Sequence, residues 1–295
     1  MELSSTLVGT PLKARTVTVS WRQLMNYAAA VQDDNPVYFD DRDESRLIGH
    51  PLSVVAITWP LLQGLDTNLQ ATSFPVDLLS TQVHYSEYLI LSRPVRPGDS
   101  LTITGAIAAI QPHRSGTFLA VRLDAVDARE RPVFTEFTGA LLRGVTCSDE
   151  GRGLEALPSP PARPRPNGPL WERGVFVDPL ESYVYDGCTD IVFPIHTSPR
   201  FARDVGLPGI ILQGTATLAY AVRELINEEA SRQPWRLKRL SCRFTQMVLP
   251  GTEIRIQLLN AVASDAGRDL FFVVLNDQGQ EAISRGYALL ENRES

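Results

Sequence analysis

Tyr185-Asp-Gly-Cys-Thr-Asp190-Ile-Val-Phe-Pro194-Ile-His196-Thr-Ser-Pro-Arg-Phe-Ala-Arg-Asp-Val-Gly206-Leu-Pro-Gly-Ile-Ile-Leu-Gln-Gly214 decides the reading of this chain. A polar loop with one carboxylate and one imidazole runs into a Gly- and Pro-rich apolar stretch. An apolar helix over roughly 214–228 follows, and then strands. The same plan occurs earlier in the chain. NPVYFDD at 35–41 answers FPIHTSP at 193–199, with Tyr38 opposite His196 at an offset of 158. GHPLSVVAITWPLL from Gly49 answers the stretch from Gly206 at an offset of 157, and Pro97-Gly98 answers Pro250-Gly251 at 153. Three landmarks in one order, with drifts that loop lengths absorb, indicate an internal duplication.

Each half reads as a short helix (Trp21–Gln32 in the first), a polar loop, a second helix (roughly 52–63 in the first half) and a run of strands. SLTITGAIAAI, TFLAVRLDAVD and PVFTEFTGALLR in the first half, and TEIRIQLLNAV, DLFFVVLND and EAISRGYALLE in the second, alternate or run apolar with β-branched residues, as strands do. A helix followed by a meander of long strands predicts an antiparallel sheet wrapped around a helix, in the α+β class. Two such sheets can pair edge to edge and so cover exposed edge strands. Six prolines between Pro158 and Pro169 mark an extended spacer. The expected division is residues 1–147, a Pro-rich linker over 148–174, and residues 175–295.

The 295 residues are 43% apolar and 21% charged, enough to bury a core and too apolar for disorder. The net charge of −6 divides evenly between the halves, so neither offers a basic surface for nucleic acid. Cys147, Cys188 and Cys242 form no CxxC, and an odd count fits a reducing compartment. The N-terminus lacks a secretory pattern, no apolar run approaches the ~20 residues of a membrane span, and ENRES at the C-terminus matches no lipidation signal. A cytoplasmic location is expected. HExxH, P-loop and GxSxG motifs are absent. His50, His84, His113 and His196 are too scattered for a metal-ligand spacing. Gly151-Arg-Gly153-Leu-Glu-Ala156 matches a loose GxGxxA form but has no strand before it, against a dinucleotide site.

The segment from Tyr185 to Gly214 resembles the MaoC-like (R)-specific enoyl-CoA hydratases and dehydratases of the hot-dog fold. Their signature is Gly-Asp-x-Asn-Pro-(Leu/Ile)-His, a small residue and Ala, Gly and Pro, and an apolar run ending His-Gly. Asp33-Asp34-Asn35-Pro36-Val37-Tyr38, Gly49-His50-Pro51 and the RPVRPGD stretch Arg93–Asp99 extend the resemblance over nearly the whole chain. A duplicated chain of this size resembles the double hot-dog form, in which one half is catalytic and the other serves the acyl chain. The resemblance implies hydration of an enoyl thioester, or dehydration of a 3-hydroxyacyl thioester, by the second half. No metal or redox cofactor is implied; CoA or carrier-bound pantetheine is part of the substrate. The implied partner is therefore an acyl-CoA or an acyl carrier protein, and homodimerisation is left open.

Such chemistry divides proton removal from water and proton delivery to C2 between a carboxylate and an imidazole. Asp190 and His196 are the expected pair. Gly214, at a helix start, is expected to offer its amide to the thioester oxygen. Tyr38, Trp59, Phe193 and Gln213 are the expected substrate contacts. The signature places its Asp five residues before the His, where this chain has Ile191. Asp190 is six before, so its participation requires residues 191–193 to bulge. Phe193 replaces the Asn and Gln213 the second His. In the first half Asp33 keeps the five-residue spacing, but Tyr38 stands in the histidine's place, and a phenol with a pKa near ~10 cannot replace an imidazole at neutral pH. Pro60 is expected to break or distort the first-half helix and open room for an acyl group beside Trp59. Asp33 and Asp34 also read as residues that cap or hydrogen-bond a loop, Asp190 as a turn or cap residue, and Arg200 and Arg203 as phosphate contacts or surface charges. A thioesterase, a lyase of specialised metabolism and a non-catalytic acyl-thioester binding module are the alternatives.

Overall fold

The computed structural model describes residues 1–70, 74–165 and 167–292. The strands are β1 (Glu2–Leu3), β2 (Arg15–Thr18), β3 (Gln82–Leu91), β4 (Ser100–His113), β5 (Gly116–Val126), β6 (Pro132–Arg143), β7 (Thr146–Cys147), β8 (Trp171–Phe176), β9 (Leu237–Phe244), β10 (Glu253–Ser264), β11 (Gly267–Leu275) and β12 (Glu281–Leu290). The helices are α1 (Trp21–Ala30), α2 (Ser53–Gln63), α3 (Leu65–Asn68), α4 (Val76–Leu79), α5 (Glu181–Thr189), α6 (Pro199–Asp204) and α7 (Gly214–Glu229). The six strands expected from their alternation are β4, β5, β6, β10, β11 and β12.

Ten strands form one sheet in the order β2-β4-β5-β6-β3-β9-β12-β11-β10-β8. Read inward from either end, the two halves of this order are the same connection pattern. Their sheets join along β3 and β9, antiparallel, with Glu87 opposite Cys242. That seam removes the inner edge of each sheet and makes one continuous ladder. The paired landmarks coincide in conformation. Pro36–Tyr38 and Pro194–His196 are each one 3₁₀ turn. Gly98 and Gly251 have φ of +82° and +84°, the left-handed turn conformation for which glycine is suited.

The concave faces bury α2 and α7 in a single apolar core spanning both halves, with Leu89 and Leu123 from the first sheet and Leu240 and Phe272 from the second fully buried. In RPVRPGD, Arg93 grips both carboxylate oxygens of Asp99 at 2.7 and 3.0 Å and fixes the turn into β4. Helix α2 does not break at Pro60. It continues to Gln63, because Leu61, Val54 and Val55 hold that turn in the core, and Gly64 ends it. Residues 157–165 and 167–170 lack helix or strand and lie largely at the surface; Pro166 and residues 293–295 lie outside the described residues. Among the described residues no helix is long and apolar enough to cross a membrane.

Candidate active site

A cavity of about 850 Å³ opens between the halves. Its second-half wall is Ile191, Phe193, Ile195 and His196, then Leu212 to Thr215 at the start of α7. The first half supplies Val55, Trp59 and Leu62, one stripe of α2 at helical spacing, and the sheet residues His84, Leu119, Val121 and Thr138. The lining is mainly apolar with a few convergent polar groups, the usual composition of a small-molecule site.

His196 closes the 3₁₀ turn that Pro194 starts. Its Nδ1 lies 2.8 Å from the Ile211 carbonyl oxygen. A carbonyl only accepts, so Nδ1–H donates, and Nε2 is left as a proton acceptor. Burial, with a smaller effect from the neighbouring imidazole of His84, pushes the His196 pKa down to about 4, so the ring is neutral at pH 7. Beside it α7 begins without a side-chain cap. Thr217 N–H makes the first helical bond, to Gln213 O, so the amides of Gly214, Thr215 and Ala216 precede the ladder. Gly214 is required here, because a Cβ would lie 2.9 Å from Cδ1 of Phe244. Gln213 is buried; its Nε2 donates to Ser182 O at 3.0 Å, while its Oε1 has no partner among the described residues. Phe193 and Trp59 line the cavity as the sequence suggests.

Asp190 is not brought to His196. It caps α5 in the left-handed conformation, φ +56°, with an exposed side chain outside the cavity lining. Its counterpart is Gln32 at the end of α1, φ +53°. The two halves are therefore in register without the bulge that a catalytic Asp190 requires. Ile191, buried like Asp33, occupies the carboxylate position of the second half. Tyr38 likewise does not line the cavity. It is fully buried with Ala28 and Ile48, away from the cavity. The first-half loop is closed around it. His50 stacks on Tyr27 at 5.5 Å, its Nε2 is 3.8 Å from Asp33 Oδ2, and the adjoining void measures only about 20 Å³. Asp33 Oδ1 accepts from Asn35 N–H and Asp34 pairs with Arg232 at 2.6 Å, so both do structural work. Arg200 and Arg203 are exposed beside Asp204.

Three cavity residues escaped the sequence reading. His84 lies on β3, whose pattern went unrecognised, and exposed Arg114 and Arg143 stand on the cavity rim at strand ends. Among the described residues no group of three or more His, Cys, Asp or Glu side chains is arranged to hold a metal ion.

Comparison with known proteins agrees with this architecture. Residues 170–272 match the MaoC like domain, and residues 6–136 match the FAS1-like dehydratase domain region. Fatty acid synthase subunit beta of Aspergillus oryzae is 32% identical over 119 residues, which is 40% of this chain and 6% of that protein. Peroxisomal multifunctional enzyme type 2 of Drosophila melanogaster is 30% identical over 102 residues, 35% of this chain and 16% of the fly protein. The chain thus spans a small part of the length of these relatives. The structure of the fly enzyme overlays with a TM-score of 0.74 at 19% identity, covering 95% of this chain and 48% of that one. A MaoC-like dehydratase from Phytophthora capsici overlays with a TM-score of 0.82 at 21% identity over 98% of both chains. These overlays establish the fold, and the sequence matches establish the kinship. With one helix-wrapped sheet repeated on each side of the β3–β9 seam, the chain belongs to the MaoC-like dehydratase family in its double hot-dog form.

Proposed function

We propose that the protein is a hydro-lyase that adds water to an enoyl thioester, or removes it from a 3-hydroxyacyl thioester, in the cavity between its halves. The observation that carries this reading is His196, neutral and with Nε2 unengaged among the described residues, in the same apolar cavity as the start of α7, which has no side-chain cap. His196 takes a proton from water as oxygen attacks C3. The negative charge that grows on the thioester oxygen meets the amides of Gly214 and its neighbours, which are oriented before the reaction begins. This step uses no metal or redox cofactor. Residues 175–295 supply the reacting groups, and residues 1–147 accommodate the acyl chain through Val55, Trp59, Leu62 and the sheet. Arg114 and Arg143 on the rim suit the phosphates of CoA or of carrier-bound pantetheine.

The test is loss of the conjugated thioester absorbance when the protein meets a trans-2-enoyl-CoA series in water. Turnover should appear, and His196→Ala should lower it at least ~100-fold without loss of fold. Release of free thiol would instead identify a thioesterase. Binding without turnover would identify an acyl-thioester binding module, the reading favoured by Ile191 at the carboxylate position. Unchanged turnover in His196→Ala would remove His196 from the mechanism.

A further inference from the structure

The second half has lost its carboxylate, yet a fully buried carboxyl outside the cavity lining, that of Glu87, lies within reach of a second cavity imidazole. His84 and Glu87 are three residues apart on β3, which in a regular strand places them on opposite faces. The β3–β6 register slips by one residue between His84 and Ser86, so Tyr85 forms a bulge. Gly139 opposite Ser86 makes room, since a Cβ there would lie 2.3 Å from Ser86 Oγ. The bulge turns both side chains to one side, with His84 Nε2 3.1 Å from Glu87 Oε2. The same nitrogen is 3.2 Å from Ser86 O and 3.2 Å from Thr138 Oγ1, while Nδ1 makes no hydrogen bond among the described residues. The His84 ring packs on Phe244 at 4.5 Å, and the same Phe244 ring abuts Gly214. A one-residue bulge that pairs a cavity imidazole with a fully buried carboxyl beside the helix start has no evident role in packing.

Resting on the hydro-lyase reading above, we propose that His84 is a second catalytic residue, delivering to C2 the proton that completes hydration, and that Glu87 is its positioning and proton-storing partner. Burial pushes the Glu87 carboxyl up and the His84 imidazole down, while Glu136 of β6 and the Ser86 carbonyl oppose the fall at His84. Each charge is disfavoured alone, so the pair holds its dissociable proton jointly. Ser86 O can only accept, so Nε2 carries a hydrogen; with the shared proton on the ring, Nε2–H faces Ser86 O and the Glu87 carboxylate, and Nδ1–H is free to leave.

In hydration a water O–H bond breaks and its proton goes to His196 Nε2. The C3–O bond forms, and the C2=C3 electron pair moves into an enolate on the thioester oxygen. The enolate then collapses, and C2 takes the proton from His84 Nδ1, which leaves the ring neutral with its hydrogen on Nε2. Ser86 O and the Glu87 carboxylate continue to accept that N–H. The enzyme is left with His196 protonated and the His84–Glu87 pair one proton short, and transfer from His196 Nε2 through cavity water to His84 Nδ1 restores it. One water is consumed and nothing else.

The test compares His84→Gln and Glu87→Gln with His196→Ala on the full chain, after thermal melts confirm folding. Both first-half variants should lower kcat at least ~30-fold while KM changes by less than about threefold. A second measurement follows exchange of the C2 hydrogens of a saturated acyl-CoA in D2O, which requires no attack by water. His84→Gln and Glu87→Gln should lose this exchange at least ~10-fold, and His196→Ala should retain it. If His84→Gln fails to fold, Glu87→Gln alone reads the relay, since the amide keeps the shape and removes the carboxylate that holds the shared proton on the pair. Full kcat and full exchange in Glu87→Gln, with hydration still dependent on His196, would overturn this proposal and leave the hydro-lyase reading standing. A wild-type protein without hydration on any enoyl-CoA would overturn both.

Discussion

The phenol oxygens of Tyr27 and Tyr185 lie 2.9 Å apart, and the two residues are 158 positions apart, the offset that relates Tyr38 to His196. Equivalent residues of the two halves thus meet each other on the pseudo-twofold axis, where α1 packs on α5. Tyr185 also donates to Thr215 Oγ1 at 3.0 Å, tying the seam to the first turn of α7 and the candidate active site. The chain Tyr27–Tyr185–Thr215 joins the halves through fully buried polar atoms, which are costly to leave unpaired.

Removing either hydroxyl should therefore cost more than its net hydrogen-bond value. Tyr185→Phe, which orphans two partners, should lower stability by about 2 kcal/mol, and Tyr27→Phe by about 1 kcal/mol. The double variant should cost less than the two together, because one orphaned partner disappears with each. Denaturant melts of the four proteins close the cycle; strict additivity would show that the pair does not couple.

Asp190 should be dispensable for turnover. Asp190→Asn is expected to keep kcat within about threefold of wild type, against the ~100-fold loss for His196→Ala. Asp190→Gly should raise stability by about 0.5 kcal/mol, since a left-handed cap at φ +56° suits glycine. A kcat loss in Asp190→Asn comparable with that of His196→Ala would return Asp190 to the site.

Gly214→Ala should injure catalysis without touching a titratable group. The added methyl meets the Phe244 ring at 2.9 and 3.1 Å, so the ring or the start of α7 must shift. A displacement of this order should lower kcat at least ~10-fold, with His84, which packs on the same ring, displaced as well. Phe244→Leu in the same chain should recover part of the loss by making room.

Activity should persist in mild acid. His196, pushed down to about 4, stays a competent base at pH values where an ordinary imidazole near ~6.5 is protonated, so the acid limb of kcat/KM belongs near pH 4. Stability behaves otherwise. His50, His84 and His196 all have lowered folded-state pKa values, so between about 6.5 and 4 the unfolded chain binds more protons and stability falls as pH falls. The raised carboxyls Glu87 and Glu136 act in the opposite sense, their contribution being lost as pH rises above the unfolded value near ~4.5. His196→Gln should flatten the acid slope of stability measured by denaturant melts at fixed pH values.

Trp59→Ala should change which acyl chains are accepted. The indole projects from α2 into the cavity alongside Val55 and Leu62, and its loss lengthens the apolar wall. The chain-length optimum in kcat/KM should move to bulkier thioesters, with little effect on the shortest. A uniform loss across the series would indicate that Trp59 serves folding alone.

The amino-acid sequence by itself determined the duplication, the six long strands and the two central helices. Period-2 and helical patterns are properties of consecutive residues, and turn glycines such as Gly98 and Gly251 declare themselves locally. It also singled out His196, Gly214, Trp59 and Phe193, which the fold places around one cavity. The placement of Asp190 was beyond it, because a left-handed cap and a catalytic carboxylate look alike until the backbone of α5 is compared with that of α1. Tyr38 lost its place in the cavity because the first-half loop closes on itself, a matter of packing between Tyr27, His50 and Ala28. The partnership of His84 with Glu87 was hidden for a different reason: an extended strand puts residues three apart on opposite faces, and only the bulge at Tyr85, set by pairing with β6 some fifty residues on, turns them together. The seam of β3 with β9 joins residues 149 to 157 positions apart. Such pairings depend on which edges are left uncovered once both halves have folded, and that is decided by tertiary structure alone.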